Sequence, residues 1–194
     1  MKAYRPINQI LSAVLLLALA TGCVTYVRTV AVQQPVLPQG QVLPRHAVLV
    51  LDQSLADYQY VFKASGNTVI YPCGPALQNY ARQVAKKCFQ QVDEAPSIEK
   101  AVAFASADLI LIPRPVKCDM SVPVWAWENV NMTMVVEWTA KDRASQNTLW
   151  LKTITATGSA AKNMGRSDLV MNQNVFDDLS LKTYNAIQEA PELK

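Results

Sequence analysis

Two long stretches of alternating apolar and polar residues constrain the fold of this chain more than any other feature. Residues 130–138 place five apolar side chains on one side of an extended backbone: Val130, Met132, Met134, Val136 and Trp138. Residues 149–157 repeat this period with Trp150, Ile154 and Ala156. A period of two is typical of a β-strand with one buried face. Because the run 141–147 between them is polar, the two stretches predict an antiparallel hairpin with one solvent-exposed face.

Four further segments predict strands. Residues 47–51 are continuously apolar, residues 58–64 alternate, and residues 68–71 pair back after a turn signal at 65–68. Residues 107–112 form another apolar run. This strand is predicted to end at Pro113, because proline offers no N–H to a strand ladder.

Three helices are predicted. The first opens at Gly74-Pro75, where proline suits the first helical turn, and its apolar stripe comprises Leu77, Tyr80, Ala81, Val84 and Cys88. A short helix follows a Ser97 cap and extends to residue 105. The closing helix is indicated by Phe176, Leu179, Thr183 and Ile187, with Asp177 and Asp178 expected in its favourable first turn.

The order of these elements, ββα(α)βββα, implies an α+β fold. We expect a mostly antiparallel β-sheet with helices packed on one face, formed by residues 46–194 as a single domain. His46, the only histidine, lies at the start of this domain, where a structural role is expected rather than that of a base.

The first 22 residues have the grammar of a secretory signal. Lys2 and Arg5 precede an apolar run at 10–20, and small residues follow it at 20–22. The run is too short for a transmembrane helix. Without the signal, 172 of the 194 residues remain, with 16 basic against 15 acidic side chains and a net charge of +1. That balance gives no basis for binding nucleic acid.

Cys23 directly follows the small residues of the signal. This arrangement resembles the lipobox of bacterial lipoproteins, and the alternative is an ordinary signal with a chance cysteine. The resemblance implies that Cys23 becomes the lipidated N-terminus and anchors the protein to a membrane without spanning it. Val24 stands where such lipoproteins carry an Asp for inner-membrane retention, which implies the outer membrane, with the domain in the periplasm.

Residues 23–45 are predicted to be a proline-rich tether. The stretch 33–44 contains three prolines and a glycine, a composition that favours extended backbone and a semi-stiff spacer. The alternative is an irregular arm that lies along the domain.

Three cysteines remain besides Cys23. Cys88 belongs to the apolar stripe of the first helix, whereas Cys73 and Cys118 each follow a strand. A right-handed crossover would bring those strand ends together, with Cys88 about 20 Å away along its helix. We therefore predict a Cys73–Cys118 disulfide in an oxidising compartment, the alternative being unpaired thiols.

No catalytic motif is present. The sequence has no G-x-S-x-G, Walker or H-E-x-x-H pattern and no paired zinc-ligand spacing, so we expect no enzyme activity, no cofactor and no metal. Trp125 and Trp127 are two residues apart in a proline-punctuated connection and share a face if extended. They are candidate partner-binding residues, unless both rings cover the core.

The layout resembles that of accessory outer-membrane lipoproteins of envelope assembly and export machines. The resemblance implies a non-catalytic adaptor that binds a periplasmic or outer-membrane protein, or further copies of itself, through the tryptophans or the exposed hairpin edge. The alternative function is a periplasmic carrier for a lipid or glycan, which would need an apolar cavity between sheet and helices.

Overall fold

The structure is a computed structural model that describes residues 25–28, 30, 32–64, 67–122, 128–162 and 167–194. Its strands are β1 Thr25–Val27, β2 Leu43–Val50, β3 Gln59–Ala64, β4 Asn67–Pro72, β5 Phe89–Ala95, β6 Leu109–Ser121, β7 Asn129–Asp142 and β8 Thr148–Ala161. Its helices are α1 Gln53–Ala56, α2 Gly74–Cys88, α3 Ile98–Val102 and α4 Ser167–Glu189, followed by a 3-10 turn at Pro191–Leu193. The predicted α+β class is confirmed.

Two sheets organise the chain. The larger has the order β5-β2-β6-β7-β8, in which β2 runs parallel to both β5 and β6, while β6, β7 and β8 form an antiparallel meander. The smaller has the order β1-β4-β3, with β1 parallel to β4 and β3 antiparallel to it. Both predicted hairpins are present in the structure, as the antiparallel pairs β3–β4 and β7–β8.

Helices α2 and α4 cover one face of the larger sheet. The predicted apolar stripe of α2 is buried, as are the even-numbered residues 130–138 of β7. On the opposite face the short α3 covers a smaller cluster that includes Val48, Val50 and Ile110. These residues alternate along their strands with members of the main core, so they point to the opposite face. The larger sheet therefore has α2 and α4 on one face and α3 on the other.

A buried polar chain ties the two main helices to the sheet. The indole Nε1 of Trp138 donates to the Tyr80 hydroxyl at 2.8 Å, and that hydroxyl lies 2.5 Å from the Thr183 hydroxyl. The Tyr80 and Trp138 rings meet edge to face at 6.0 Å. Hydrogen bonding of this kind is what permits tyrosine and tryptophan in a core.

Replacing Tyr80 by Phe is expected to destabilise the fold by about 1–2 kcal/mol, because the buried Trp138 N–H would lose its acceptor. The measurement is urea unfolding. Tyr184→Phe is the matched control, since the buried Tyr184 hydroxyl has no hydrogen-bond partner among the described residues. An equal loss in both variants would contradict the prediction.

Strand β6 continues through Pro113 and Pro115 to Ser121, so the predicted end at Pro113 is wrong. The pairing of β6 with β2 ends at Leu111, and beyond it β6 pairs with β7 alone. One side of the strand is therefore a free edge, where a missing N–H is tolerated. A register shift between Pro115 and Lys117 accompanies this change.

Two other expectations need correction. Helix α4 begins at Ser167, so its first turn holds Asp168, and Asp177 and Asp178 lie in its middle. Strand β5, which follows α2 without a loop, was not predicted. Its residues are largely polar because it is the edge strand of the larger sheet.

The proline-rich stretch lies across the helices. Val32 and Leu37 pack against the core, the Gln33 N–H donates to Gln173 Oε1 at 2.7 Å, and Gln188 Nε2 donates to the Gln41 carbonyl at 2.9 Å. The described part of the predicted tether 23–45 is thus an arm on the domain surface. Extended backbone allows it to follow the helices while alternate side chains reach the core.

Candidate functional site

Cys73 and Cys118 are brought together by the join between the two sheets. Cys73 occupies the position before the first turn of α2, directly after β4, and Cys118 lies in β6. The Gly74 N–H donates to the Tyr58 carbonyl at 2.8 Å, which fixes the start of α2 against β3. Both thiols are buried, and their side chains lie close enough for each to shift the pKa of the other.

This contact makes the two thiols unequal. The hydrogen bond from Cys118 lowers the pKa of the Cys73 thiol, with burial opposing it and a backbone hydrogen bond from Tyr60 assisting. The pKa of Cys118 is raised by the same hydrogen bond and by burial. Cys73 therefore has the greater thiolate character and Cys118 acts as the donor, the asymmetry expected of a pair that reacts through one sulfur.

An open pocket of about 270 Å³ lies beside this join. Strands β1 and β4 meet there with the ends of β6 and β8 and with the starts of β7 and α4. The lining includes Arg28, Tyr71, Met120, Val130, Lys162 and Asp168. Arg28 Nη1 lies 3.9 Å from Asp168 Oδ2. The floor is apolar and the rim carries charges of both signs.

Two tyrosines lie between the thiol pair and the pocket. The Met120 N–H donates to the Tyr60 hydroxyl at 3.0 Å, and the rings of Tyr60 and Tyr71 are 6.2 Å apart. Burial raises the pKa of Tyr71, and the carboxylate of Asp168 adds to this effect. The thiols and the pocket are thus parts of one layer between the two sheets.

The remaining predicted site residues are placed as follows. Cys88 is buried in α2, and burial raises its pKa to about 12. Trp125, Trp127 and Cys23 lie outside the described residues. The connection that carries the tryptophans leaves from Val122, a residue of the pocket lining, and returns at Glu128.

His46 has a structural role. Its Nε2 lies 2.6 Å from Asp93 Oδ2 and its Nδ1 lies 3.0 Å from the Ser106 carbonyl, while its backbone N–H donates to Asp108. These contacts link β2, β5 and the segment before β6.

Part of the predicted hairpin edge is already occupied. Three side chains spaced four residues apart on α4 bond to outward-pointing backbone groups of β8. Asn174 donates to the Ser159 carbonyl at 2.7 Å, Asp178 accepts from the Thr157 N–H at 2.9 Å, and Lys182 donates to the Thr155 carbonyl at 3.0 Å. A covered edge cannot pair with another strand. The open part of β8 is therefore the half that carries Leu151, which is 56% exposed.

The residues that sequence reasoning missed are Arg28 and Asp168. They lie at opposite ends of the chain and belong to no motif, so only the fold could bring them to one pocket. In the part of the chain that the structure describes, no group of three or more His, Cys, Asp or Glu side chains could hold a metal ion, and no helix is long and apolar enough to cross a bilayer.

No protein-family model matches this chain, and no curated protein matches it in sequence. Its structure is similar to that of a DUF330-family protein from Xanthomonas campestris, with a TM-score of 0.53 and 8% identity over 81% of this chain and 92% of that one. At this identity the likeness shows the fold alone.

Two further structures are similar at TM-scores below 0.5. A minor lipoprotein from Acinetobacter baumannii has a TM-score of 0.43 and 13% identity, over 76% of this chain and 93% of that one. The PelC dodecamer from Paraburkholderia phytofirmans has a TM-score of 0.39 and 17% identity, over 74% of this chain and 92% of that one.

Proposed function

We propose that this protein is a lipoprotein of the bacterial outer membrane whose periplasmic domain serves as a non-catalytic accessory of an envelope assembly or transport machine. The observation that carries the proposal is the position of Cys23. It follows a signal-like segment and stands two residues before β1, the first strand of the folded domain. A lipid on Cys23 would therefore hold the domain itself at the membrane.

The proposed docking site is the connection between β6 and β7, with Trp125 and Trp127 as its anchors for a protein partner or for further copies of this chain. The connection leaves from the pocket rim, whose apolar floor and mixed charges suit an interface with a buried centre and a polar edge. Paired indoles are typical of the residues that dominate binding energy.

The carrier alternative is less well supported. The pocket beside the join, about 270 Å³, is below the usual range of small-molecule sites, about 300–1,000 Å³, and its rim is charged. A larger pocket of about 470 Å³ lies at the surface between the arm and α2, and Gln and Lys side chains form much of its lining. An acyl chain would need a longer apolar space. We therefore favour an adaptor over a carrier for a lipid or glycan.

The test uses cells that express the full chain, crosslinking, and co-purification from solubilised membranes. We expect the double variant Trp125→Ala/Trp127→Ala to lose the partner while its unfolding midpoint stays unchanged. Leu151→Ala is the matched control, because it removes an exposed apolar side chain at the open edge of β8. The mass of the N-terminal peptide reports the lipid on Cys23 in the same samples.

Partner loss in Leu151→Ala, with retention in the tryptophan variant, would move the docking site to the hairpin edge. Retention in both would contradict the proposed adaptor surface. An N-terminal peptide without lipid would contradict the anchor.

A further inference from the structure

The smaller sheet has an outer face that is separate from the pocket and from the proposed docking site. Tyr60, Phe62 and Val69 pack toward the core, so the alternate residues of β3 and β4 point away from it. The cross-strand register aligns Val27 with Ile70 and Ile70 with Val61. Val27 is 70% exposed and Val61 is 41% exposed. A row of three β-branched apolar side chains thus crosses the outer face.

The next row is polar and basic. The register aligns Thr25 with Thr68 and Thr68 with Lys63, so this row lies beside the apolar one, at the end of the sheet where the chain turns from β3 to β4. The three strands contain no Asp or Glu. An apolar row bordered by hydroxyls and an ammonium group suits the headgroup region of a phospholipid bilayer, which accepts apolar side chains below and a cation beside its phosphates.

The chain places this face next to the predicted anchor. Cys23 precedes Thr25 by two residues, and two residues of chain span at most about 7 Å. Strand β1 is fixed to β4 by its parallel pairing and by the hydrogen bond from the Arg28 N–H to the Ile70 carbonyl at 2.9 Å. The lipid would consequently enter the bilayer beside the Thr25–Thr68–Lys63 row, with no free spacer to separate the sheet from the headgroups.

We propose that the outer face of the β1-β4-β3 sheet lies on the phospholipid surface, with Val27, Ile70 and Val61 as its apolar contacts and Lys63 at the phosphates. This inference rests on the proposed lipidation of Cys23. Contact through a whole sheet face fixes the orientation of the domain, which a lipid chain alone does not do.

The test is a fluorescent depth measurement on the full lipidated chain in vesicles of phosphatidylethanolamine and phosphatidylglycerol. Val61→Cys is labelled with an environment-sensitive dye, and Leu151→Cys is the control at another exposed apolar position. The native Cys73, Cys88 and Cys118 are buried, so labelling favours the introduced thiol. Lipids with a nitroxide near the headgroup should quench the dye at residue 61, with a blue shift of its emission, and leave the dye at residue 151 unchanged.

The outcomes separate the two proposals. Lipidated protein whose residue 61 dye is not quenched would overturn the membrane-facing sheet and leave the lipoprotein proposal intact. A blue shift at residue 61 without quenching would also overturn it, because the face would then be covered by protein, such as a second copy. An N-terminal peptide without lipid would overturn both.

Discussion

Replacing Gly158 by Val is expected to cause one of the largest losses of stability in this fold, about 3 kcal/mol, at the upper end of what an overpacked site usually costs. Gly158 lies in β8 where α4 crosses it. A Cβ at this position would lie 2.3 Å from the Met171 carbonyl oxygen and 2.4 Å from the Val175 nitrogen. Both are backbone atoms of α4, so no side-chain rotation relieves the collision.

Helix α4 cannot simply move away from β8. Asn174, Asp178 and Lys182 bond to the edge of that strand, and a displaced helix would weaken all three contacts. The edge would then become open to pairing with other chains. We therefore expect Gly158→Val to aggregate on heating as well as to unfold at lower urea concentration.

Gly40→Val is the control for this prediction. A Cβ at position 40 would meet the Tyr184 hydroxyl at 1.7 Å, which is the far end of a side chain and makes no hydrogen bond within the described part of the chain. That ring can shift without losing a polar contact. The measurement is the free energy of unfolding in urea, and a loss in Gly158→Val no greater than in Gly40→Val would count against the argument.

Local periodicity explains what the sequence predicted well. The stripe of α2 and the alternation of β7 depend on spacing within one element, and the side chains concerned are buried in the structure as expected. The cap of the short helix is equally local, since the Ser97 hydroxyl accepts from the Lys100 N–H. Such features need no knowledge of the neighbouring elements.

Features that depend on neighbours were missed. Whether Pro113 ends β6 depends on where β2 stops pairing with it, and the polarity of β5 reflects its place at the edge of the sheet. The start of α4 was missed by about ten residues, because the apolar spacing used to locate it begins at Phe176, close to the middle of the helix. The pocket combines residues in or beside five strands and a helix, so it has no counterpart in any local pattern.

Oxidation of Cys73 and Cys118 to a disulfide is the second change for which we expect a large effect. The bond would close a loop of about 45 residues, and the loss of chain entropy in the unfolded state would stabilise the fold by about 4 kcal/mol. For a chain of this size that corresponds to a rise in melting temperature of about 10 °C. It would tie the start of α2 to β6, and with them the smaller sheet to the larger one.

The chemistry follows from the inequality of the two thiols. Cys73, whose pKa is lowered by the hydrogen bond from Cys118, is the sulfur that attacks a disulfide oxidant such as oxidised glutathione, and Cys118 then resolves the mixed disulfide. The two thiols lose two protons and two electrons, and the oxidant's disulfide becomes two thiols. Because both sulfurs are buried, the reaction should be fastest during folding.

The measurement is the melting temperature of refolded protein with oxidised glutathione or with dithiothreitol, followed by peptide mapping without reduction. Cys88→Ala should keep the difference between the two conditions, whereas Cys118→Ala should abolish it. Comparing conditions within each variant removes the cost of the substitution itself. We expect this pairing because Cys73 and Cys118 are in contact. A map in which Cys88 is the bridged residue would contradict it. Equal melting temperatures of the native chain under the two conditions would also contradict it.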